Sequence, residues 1–348
     1  MEKGHFSQLF AKMKAIALIS GGLDSVLAAK IVKEQGIFVV GLHVKIPFVA
    51  ERKEYARLSA SQIGIPLLTV HAGEEFLRIV RNPRFGYGSA LNPCIDCRIF
   101  ILRKAKELAE RINASFVVTG EVLNERPMSQ HRTALRLVER ESGLEGLVLR
   151  PLSAKLLPAT IPEREGWVER RKMLAIRGRS RKIQLALARK FGISLENVAS
   201  PAGGCLLTYK EFAAKLRDLF EHNAEVTLRD VERLKVGRHF RFKRFKIIVG
   251  RNEEENKRLL SLRKASDFVL EVRGFGSPVT ILEVPAEVEA GETKEIEKAV
   301  EVAARLTARY SDAKDRAEVL VSVRRDGESE KRVRVSPARE EEISRLRV

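Results

Sequence analysis

Residues 14–33, KAIALISGGLDSVLAAKIVK, restrict what this chain can fold into more than any other stretch. Residues 15–19 form a short continuous apolar run, as expected of a strand covered on both faces in a parallel sheet. Val26, Leu27, Ala29, Ile31 and Val32 then recur at helical spacing. Between strand and helix lie Ser20, Gly21, Gly22, Leu23, Asp24 and Ser25. Two adjacent glycines let backbone N–H groups approach a ligand closely, and the helix start beyond them adds unpaired N–H groups and a positive dipole end. The stretch predicts a strand, loop and helix that together hold phosphate oxygens.

The lysine that ends a Walker loop is missing, because Asp24 and Ser25 stand there. S-G-G-L-D-S resembles instead the signature of the PP-loop ATP pyrophosphatase superfamily, the adenine nucleotide alpha hydrolase-like proteins. That resemblance implies that the pyrophosphate of ATP is cradled here and that AMP passes to a substrate oxygen. Glycines that only ease packing, followed by a Ser or Asp helix cap, form the bland counterpart of the same pattern.

Short apolar runs at 38–44, 67–70, 116–119 and 147–150 alternate with helical patterns at 51–64 and 98–111. Alternation of this kind predicts an α/β fold with a doubly wound parallel sheet, its ligands beyond the carboxyl ends of the strands. Residues 163–191 read as helical and crowded with arginine and lysine, either a solvated face or a nucleic-acid track. A glycine-rich turn over 200–207 presents Cys205, and a helix follows over 209–222.

From about residue 230 a second unit begins. In LKVGRHFRFKRFKIIVG (234–250), Phe240, Phe242 and Phe245 are interleaved with Arg238, Arg241, Lys243, Arg244 and Lys246. This predicts a strand with one basic face for RNA, although lysines at a sheet edge also deter aggregation. Strands at 269–272, 279–284 and 317–323 and a helix at 294–310 complete a smaller α+β domain. The expected domains are 1–160, the PP-loop unit; 161–229, an Arg-rich helical extension with the third cysteine; and 230–348, an RNA-binding unit.

Charge supports a polyanionic partner. Lys and Arg number 64 against 46 Asp and Glu, a formal net charge of +18, so nucleic acid leads and an anionic membrane surface comes second. No apolar run is long enough to span a bilayer, and the first twelve residues lack a signal-peptide core, so a cytoplasmic protein without membrane contact is expected.

The chain has three cysteines, Cys94, Cys97 and Cys205. So few make a disulfide framework improbable, and zinc would want a fourth ligand that no neighbouring histidine supplies. On a PP-loop fold they suit a [4Fe–4S] cluster with one iron open, and equally a persulfide carrier with a resolving thiol.

The motifs N-P-C-I-D-C-R, V-V-T-G-E (117–121), M-S-Q (128–130) and L-R-P-L (149–152) follow in the order of the catalytic domain of tRNA 4-thiouridine synthetases. With S-G-G-L-D-S the resemblance covers roughly 13–160. It implies that a uridine carbonyl oxygen of tRNA is adenylated with ATP and Mg²⁺, and that sulfur from hydrosulfide or a carrier then displaces AMP. Sulfur at C2 or at C4 fits equally. Carried over residue by residue, it makes Ser20, Gly21, Gly22, Asp24, Ser25, Gly120 and Glu121 the nucleotide site. Asp24 places Mg²⁺, and Cys94, Cys97 and Cys205 hold the sulfur or the cluster.

I-I-V-G-R-N (247–252), E-E-N-K (254–257), D-F-V-L-E-V-R-G (267–274) and A-A-R-L-T-A-R-Y-S-D-A-K (303–314) resemble the NFACT-R domain, which implies RNA or ribosome binding. The competing expectation is a nucleotide-sensing RNA or ribosome factor without thiolation activity, for which three cysteines on a nucleotide fold have no use.

Overall fold

The computed structural model describes residues 13–49, 54–200, 204–285 and 293–348. Residue contacts divide the chain into two units, Met1–Thr208 and Tyr209–Val348.

The first unit runs β1 (Lys14–Leu18), α1 (Leu23–Lys33), β2 (Phe38–Lys45), α2 (Tyr55–Gln62), β3 (Leu67–His71), α3 (Glu74–Arg81) and α4 (Cys94–Ile112). It continues through β4 (Phe116–Val118), α5 (Arg132–Ser142), β5 (Val148–Leu149), α6 (Ile161–Arg164) and α7 (Lys182–Lys190). All five strands are parallel, in the order β3-β2-β1-β4-β5. Alternation along β1 feeds two cores. Ala15 and Ala17 pack with Val26, Leu27 and Val118 on one face, while Ile16 packs with Leu42, Leu102 and Val148 on the other. Because β1 leads to β2 on one side and lies beside β4 on the other, the strand order reverses between β1 and β4. A crevice opens there at the carboxyl ends, the usual ligand position in such sheets.

The expected helix over 163–191 is not formed. Only α6 and α7 are α-helical in this region, and the chain between them runs through turns, a 3₁₀ helix at Arg170–Lys172 and irregular backbone. Leu174 and Ile176 donate their N–H groups to Pro151 and Leu152, and Gly178 donates to Leu123. Gly166 and Gly178, with φ of 69° and 76°, break the helical repeat that the charge pattern suggested. Helix α4 also starts earlier than residue 98, so both cysteines of the C-x-x-C pair lie in its first turn. The helical pattern over 51–64 resolves to α2, its opening residues lying outside those described.

The second unit holds α8 (Lys210–His222), α9 (Leu228–Leu234), β6 (Arg238–Phe242), β7 (Phe245–Val249), α10 (Glu253–Leu262), β8 (Phe268–Val272) and β9 (Thr280–Glu283). Then come α11 (Thr293–Arg309), β10 (Val319–Arg324), β11 (Lys331–Val335) and α12 (Glu340–Leu346). Its sheet is antiparallel, ordered β11-β10-β8-β9-β7-β6, and α11 covers one face with Ala299, Ala303 and Ala304.

The single basic strand expected over 234–250 is a hairpin, turning at Lys243, whose φ is 52°. Two of its three aromatics lie in the core: Phe240 and Phe245 are fully buried, and burial of a side chain that size contributes about 1.5–3 kcal/mol. Two of its cations are internal as well. Arg241 donates to both carboxylate oxygens of Asp218, at 2.8 and 2.7 Å, and Lys246 donates to Asp218 too. Among the described residues, no helix is long and apolar enough to cross a membrane.

Candidate nucleotide and thiol site

The loop between β1 and α1 is folded on its own hydroxyls. Ser25 Oγ donates to the Gly22 carbonyl at 2.7 Å, and the Gly22 N–H reaches Ser20 Oγ at 3.3 Å. Gly21 has φ +83°, and a Cβ there would stand 2.7 Å from Tyr55 Cβ, so glycine is required twice over. Across the crevice, a Cβ on Gly120 would fall 2.4 Å from the Ser25 nitrogen. The turn after β4 therefore presses directly on the start of α1. From a distant part of the chain, Ala199 donates its N–H to Gly21 O at 2.8 Å, and Ser59 Oγ bridges Gly21 O and Asn197 O. The loop is held from three sides before any ligand arrives.

Asp24 is the second residue of α1, not a free loop residue. Burial raises its carboxyl above the usual carboxylate range, against the opposing pull of Arg181, a hydrogen bond from Gln184, and Arg126. Its Oδ1 is buried without a hydrogen-bond partner among the described residues. Glu125 is raised likewise, by burial and then by the charge of Asp24. An orphaned carboxylate oxygen beside a second carboxylate fits Mg²⁺, which commonly takes one or two carboxylates with substrate phosphates completing its shell. Glu121 behaves differently. Burial works to raise it, but Arg150 at 2.9 Å and Arg98 at 3.6 Å hold it below the usual carboxylate range.

The thiols come from two stretches. Asp96, inside the C-x-x-C pair, accepts from the N–H groups of Arg84 and Phe85 at 3.0 and 3.1 Å, which fixes the segment leading into α4. Asn92 Nδ2 lies 3.1 Å from Cys94 Sγ. Cys205 arrives through strand-like pairing: it bridges Val49, Leu206 N–H donates to Phe48 O at 2.7 Å, and Leu91 N–H donates to Leu207 O at 3.1 Å. The expected glycine-rich turn ahead of it lies largely outside the described residues, Gly203 included. Burial pushes the Cys97 thiol up to about 12; Arg98 opposes this, while Cys205 and Cys94 add to it. Burial raises Cys205 also, with Cys94 again contributing. All three thiols therefore lie within electrostatic reach of one another. Even so, no group of three His, Cys, Asp or Glu among the described residues converges to hold a metal ion. Three thiols from two stretches are the donor type that a cluster takes.

Arg126 acts on both Asp24 and Cys205, and Arg98 on both Glu121 and Cys97. The carboxylates and the thiols thus share one site. Glu125, Arg126, Arg98, Arg181 and Gln184 were not anticipated from sequence. Glu125 and Arg126 stand in the polar segment 124–130 beside V-V-T-G-E, the only local signal that could have found them.

A glycine loop without a Walker lysine lies at the switch point of a 3-2-1-4-5 parallel sheet, the place where α/β folds of this class take their ligands. Residues 10–155 match the family described as thiamine biosynthesis protein (ThiI). Residues 237–347 match the NFACT protein RNA binding domain. Among curated proteins, the chain is 33% identical over 134 residues to the tRNA-specific 2-thiouridylase MnmA of Geobacter metallireducens, covering 32% of this chain and 35% of that protein. It is 31% identical over 129 residues to the enzyme of that name from Natranaerobius thermophilus, 31% of this chain and 34% of that protein. The chain thus spans about a third of the length of these relatives. A crystal structure of a 4-thiouridine synthetase–RNA complex with bound ATP is 20% identical, covering 59% of this chain and 50% of that one at a TM-score of 0.40.

Proposed function

We propose that this chain is a cytoplasmic ATP-dependent tRNA thiouridine synthase. The observation that carries the reading is Arg98, next to Cys97 in α4 and 3.6 Å from Glu121, which joins the C-x-x-C helix to the turn that closes on the glycine loop. The ThiI match over 10–155 and the thiouridylase relatives support it, as does an RNA-binding match in the second unit.

A carbonyl oxygen of uridine is a poor leaving group. ATP converts it: the oxygen attacks the α-phosphorus, the bond to pyrophosphate breaks, and an AMP ester forms. The N–H groups from Gly22 onward, at the start of α1, receive the departing pyrophosphate, where fixed donors act most strongly on developing charge. Ser20 and Ser25 shape this cradle, and Gly120 lets β4 close on it. Asp24 and Glu125 would hold Mg²⁺, which would supply positive charge against the phosphates. Glu121, kept ionised by Arg150 and Arg98, orients Arg98 between the nucleotide and Cys97. Sulfur then attacks the activated carbon, the C–O bond to AMP breaks, and thiouridine remains.

Sulfur arrives from hydrosulfide or a carrier and is handled at Cys94, Cys97 and Cys205. Their finer chemistry belongs to this proposal: a [4Fe–4S] cluster with one open iron would take hydrosulfide, whereas a persulfide relay would take the outer sulfur of a carrier persulfide by thiol exchange, a second cysteine closing a disulfide as thiouridine leaves and an external thiol reducing it. Nucleoside mass spectrometry of tRNA incubated with the protein, ATP and sulfide tests the function. Appearance of a thiouridine that is lost in Cys94→Ala supports it; adenylation with no thiolated product under any sulfur source overturns it. Iron and sulfide analysis of anaerobically purified protein decides between the two modes of sulfur handling.

A further inference from the structure

A second cavity in the first unit shares no lining residue with the 20–25 loop or with the cysteines. It measures about 330 Å³ and opens between α5, β5 and residues 154–164. That volume lies at the small end of the range for ligand sites, roughly 300–1,000 Å³. Four arginines line it, Arg132, Arg136, Arg150 and Arg164, against Glu139, Glu145 and Glu163.

Two of those glutamates are already committed. Glu139 accepts from Arg150 Nη1 and from the Gly146 N–H, and Glu163 accepts from Arg170 and from Thr160. Among the described residues, Arg132, Arg136 and Arg164 pair with no carboxylate. Arg132 and Arg164 donate to the carbonyls of Leu156 and Ala159, at 2.8 and 2.6 Å. Three cations thus remain against one free carboxylate, Glu145.

Arg150 supplies the independent sign of a ligand. Only 4% exposed, it donates through Nε to Glu121 and through Nη1 to Glu139, yet its Nη2 is buried with no partner among the described residues. A guanidinium nitrogen out of water and unpaired is costly, and buried polar groups in folded proteins normally find a partner.

We propose that this cavity binds a compact phosphate group, with Arg150 Nη2 as its buried donor and Arg132, Arg136 and Arg164 as its rim. Guanidinium groups match phosphate oxygens with paired N–H donors, and several of them around one small volume favour a phosphate over a singly charged carboxylate. The phosphate can be free or the end of an RNA strand.

The test uses the full chain with the nucleotide loop saturated by a non-hydrolysable ATP analogue, titrated with inorganic phosphate by calorimetry. Saturable binding is expected, weakened at least tenfold in the double variant Arg136→Ala, Arg164→Ala, both exposed side chains, with unchanged affinity for the analogue. A 5′-phosphorylated trinucleotide that binds tenfold better than inorganic phosphate, its 5′-hydroxyl counterpart not binding, assigns the group to an RNA end. Equal or weaker binding assigns it to free phosphate. No saturable phosphate binding once the loop is filled, or equal affinity in the wild type and the double variant, overturns the proposal.

Discussion

Asp24 carries its negative charge where the fold least favours it. A raised carboxyl pKa means that the unfolded chain ionises more readily than the folded one, so ionised Asp24 costs stability above its folded pKa and the cost fades as pH falls. Asp24→Asn is therefore expected to raise the melting temperature at pH 7 while lowering pyrophosphate release with ATP and tRNA by about a hundredfold, on the scale of losing one electrostatic contact to developing charge. Wild-type melting with near-normal release would remove Asp24 from the chemistry. Cys97 gives a second expectation. With its thiol at about 12, the thiolate fraction at pH 8 is about one in ten thousand, so alkylation of Cys97 by iodoacetamide should climb roughly tenfold per pH unit through pH 11. A plateau below pH 9, followed by peptide mass spectrometry, contradicts the burial described. The loop residues Ser20 to Ser25 were legible because they are contiguous and their chemistry is local. Glu125, Arg126, Arg181 and Gln184 were not, since they reach Asp24 from two other stretches and only the tertiary fold brings them near.

Among elements, the contact between the β4 turn and the start of α1 is the tightest in the nucleotide site. Gly120→Ala would drive a methyl group into backbone at 2.4 Å, and is expected to cost about 1–3 kcal/mol in urea denaturation together with most ATP affinity. In the second unit, Asp218→Ala leaves Arg241 and Lys246 without the carboxylate that both share. Loss of one partner in such a largely buried group should cost about 3 kcal/mol. Burial works to raise Asp218, but hydrogen bonds from Arg241 and the charge of Lys246 hold it below the usual range, so its contribution is present at neutral pH and is lost as pH falls through the folded value. The variant should therefore lose acid sensitivity as well as stability, which denaturation midpoints at pH 7 and pH 3 would measure. Strands β1, β2, β4 and β5 were readable as apolar runs because parallel strands are buried on both faces. The basic run over 234–250 reads as one strand because alternation of Phe with Arg is the same in a single strand and in a hairpin whose phenylalanines enter the core. Helix α5 was passed over although Ala134, Leu135 and Val138 mark its buried face.

At the scale of the molecule, a net charge of +18 is distributed over two units, with the RNA-binding match confined to the second. A chain ended at Thr208 should retain ATP binding and lose much of its tRNA affinity, with a shallower salt dependence, about 0.7 of a logarithmic unit per phosphate contact removed. Filter binding between about 50 and 200 mM salt measures this, and an unchanged slope would assign RNA contact to the first unit. Ending the chain instead at residue 229 would strand α8, whose Asp218 is neutralised by β6 and β7, and such a fragment should aggregate. The pairing of Leu206 and Leu207 with Phe48 and Leu91 has a consequence for synthesis. The ribosome completes the sheet and exposes Cys94 and Cys97 well before Cys205 leaves the exit tunnel. For that interval the nascent chain carries two thiols without their third neighbour, and it is then, not in the finished protein, that an oxidant meets them least protected.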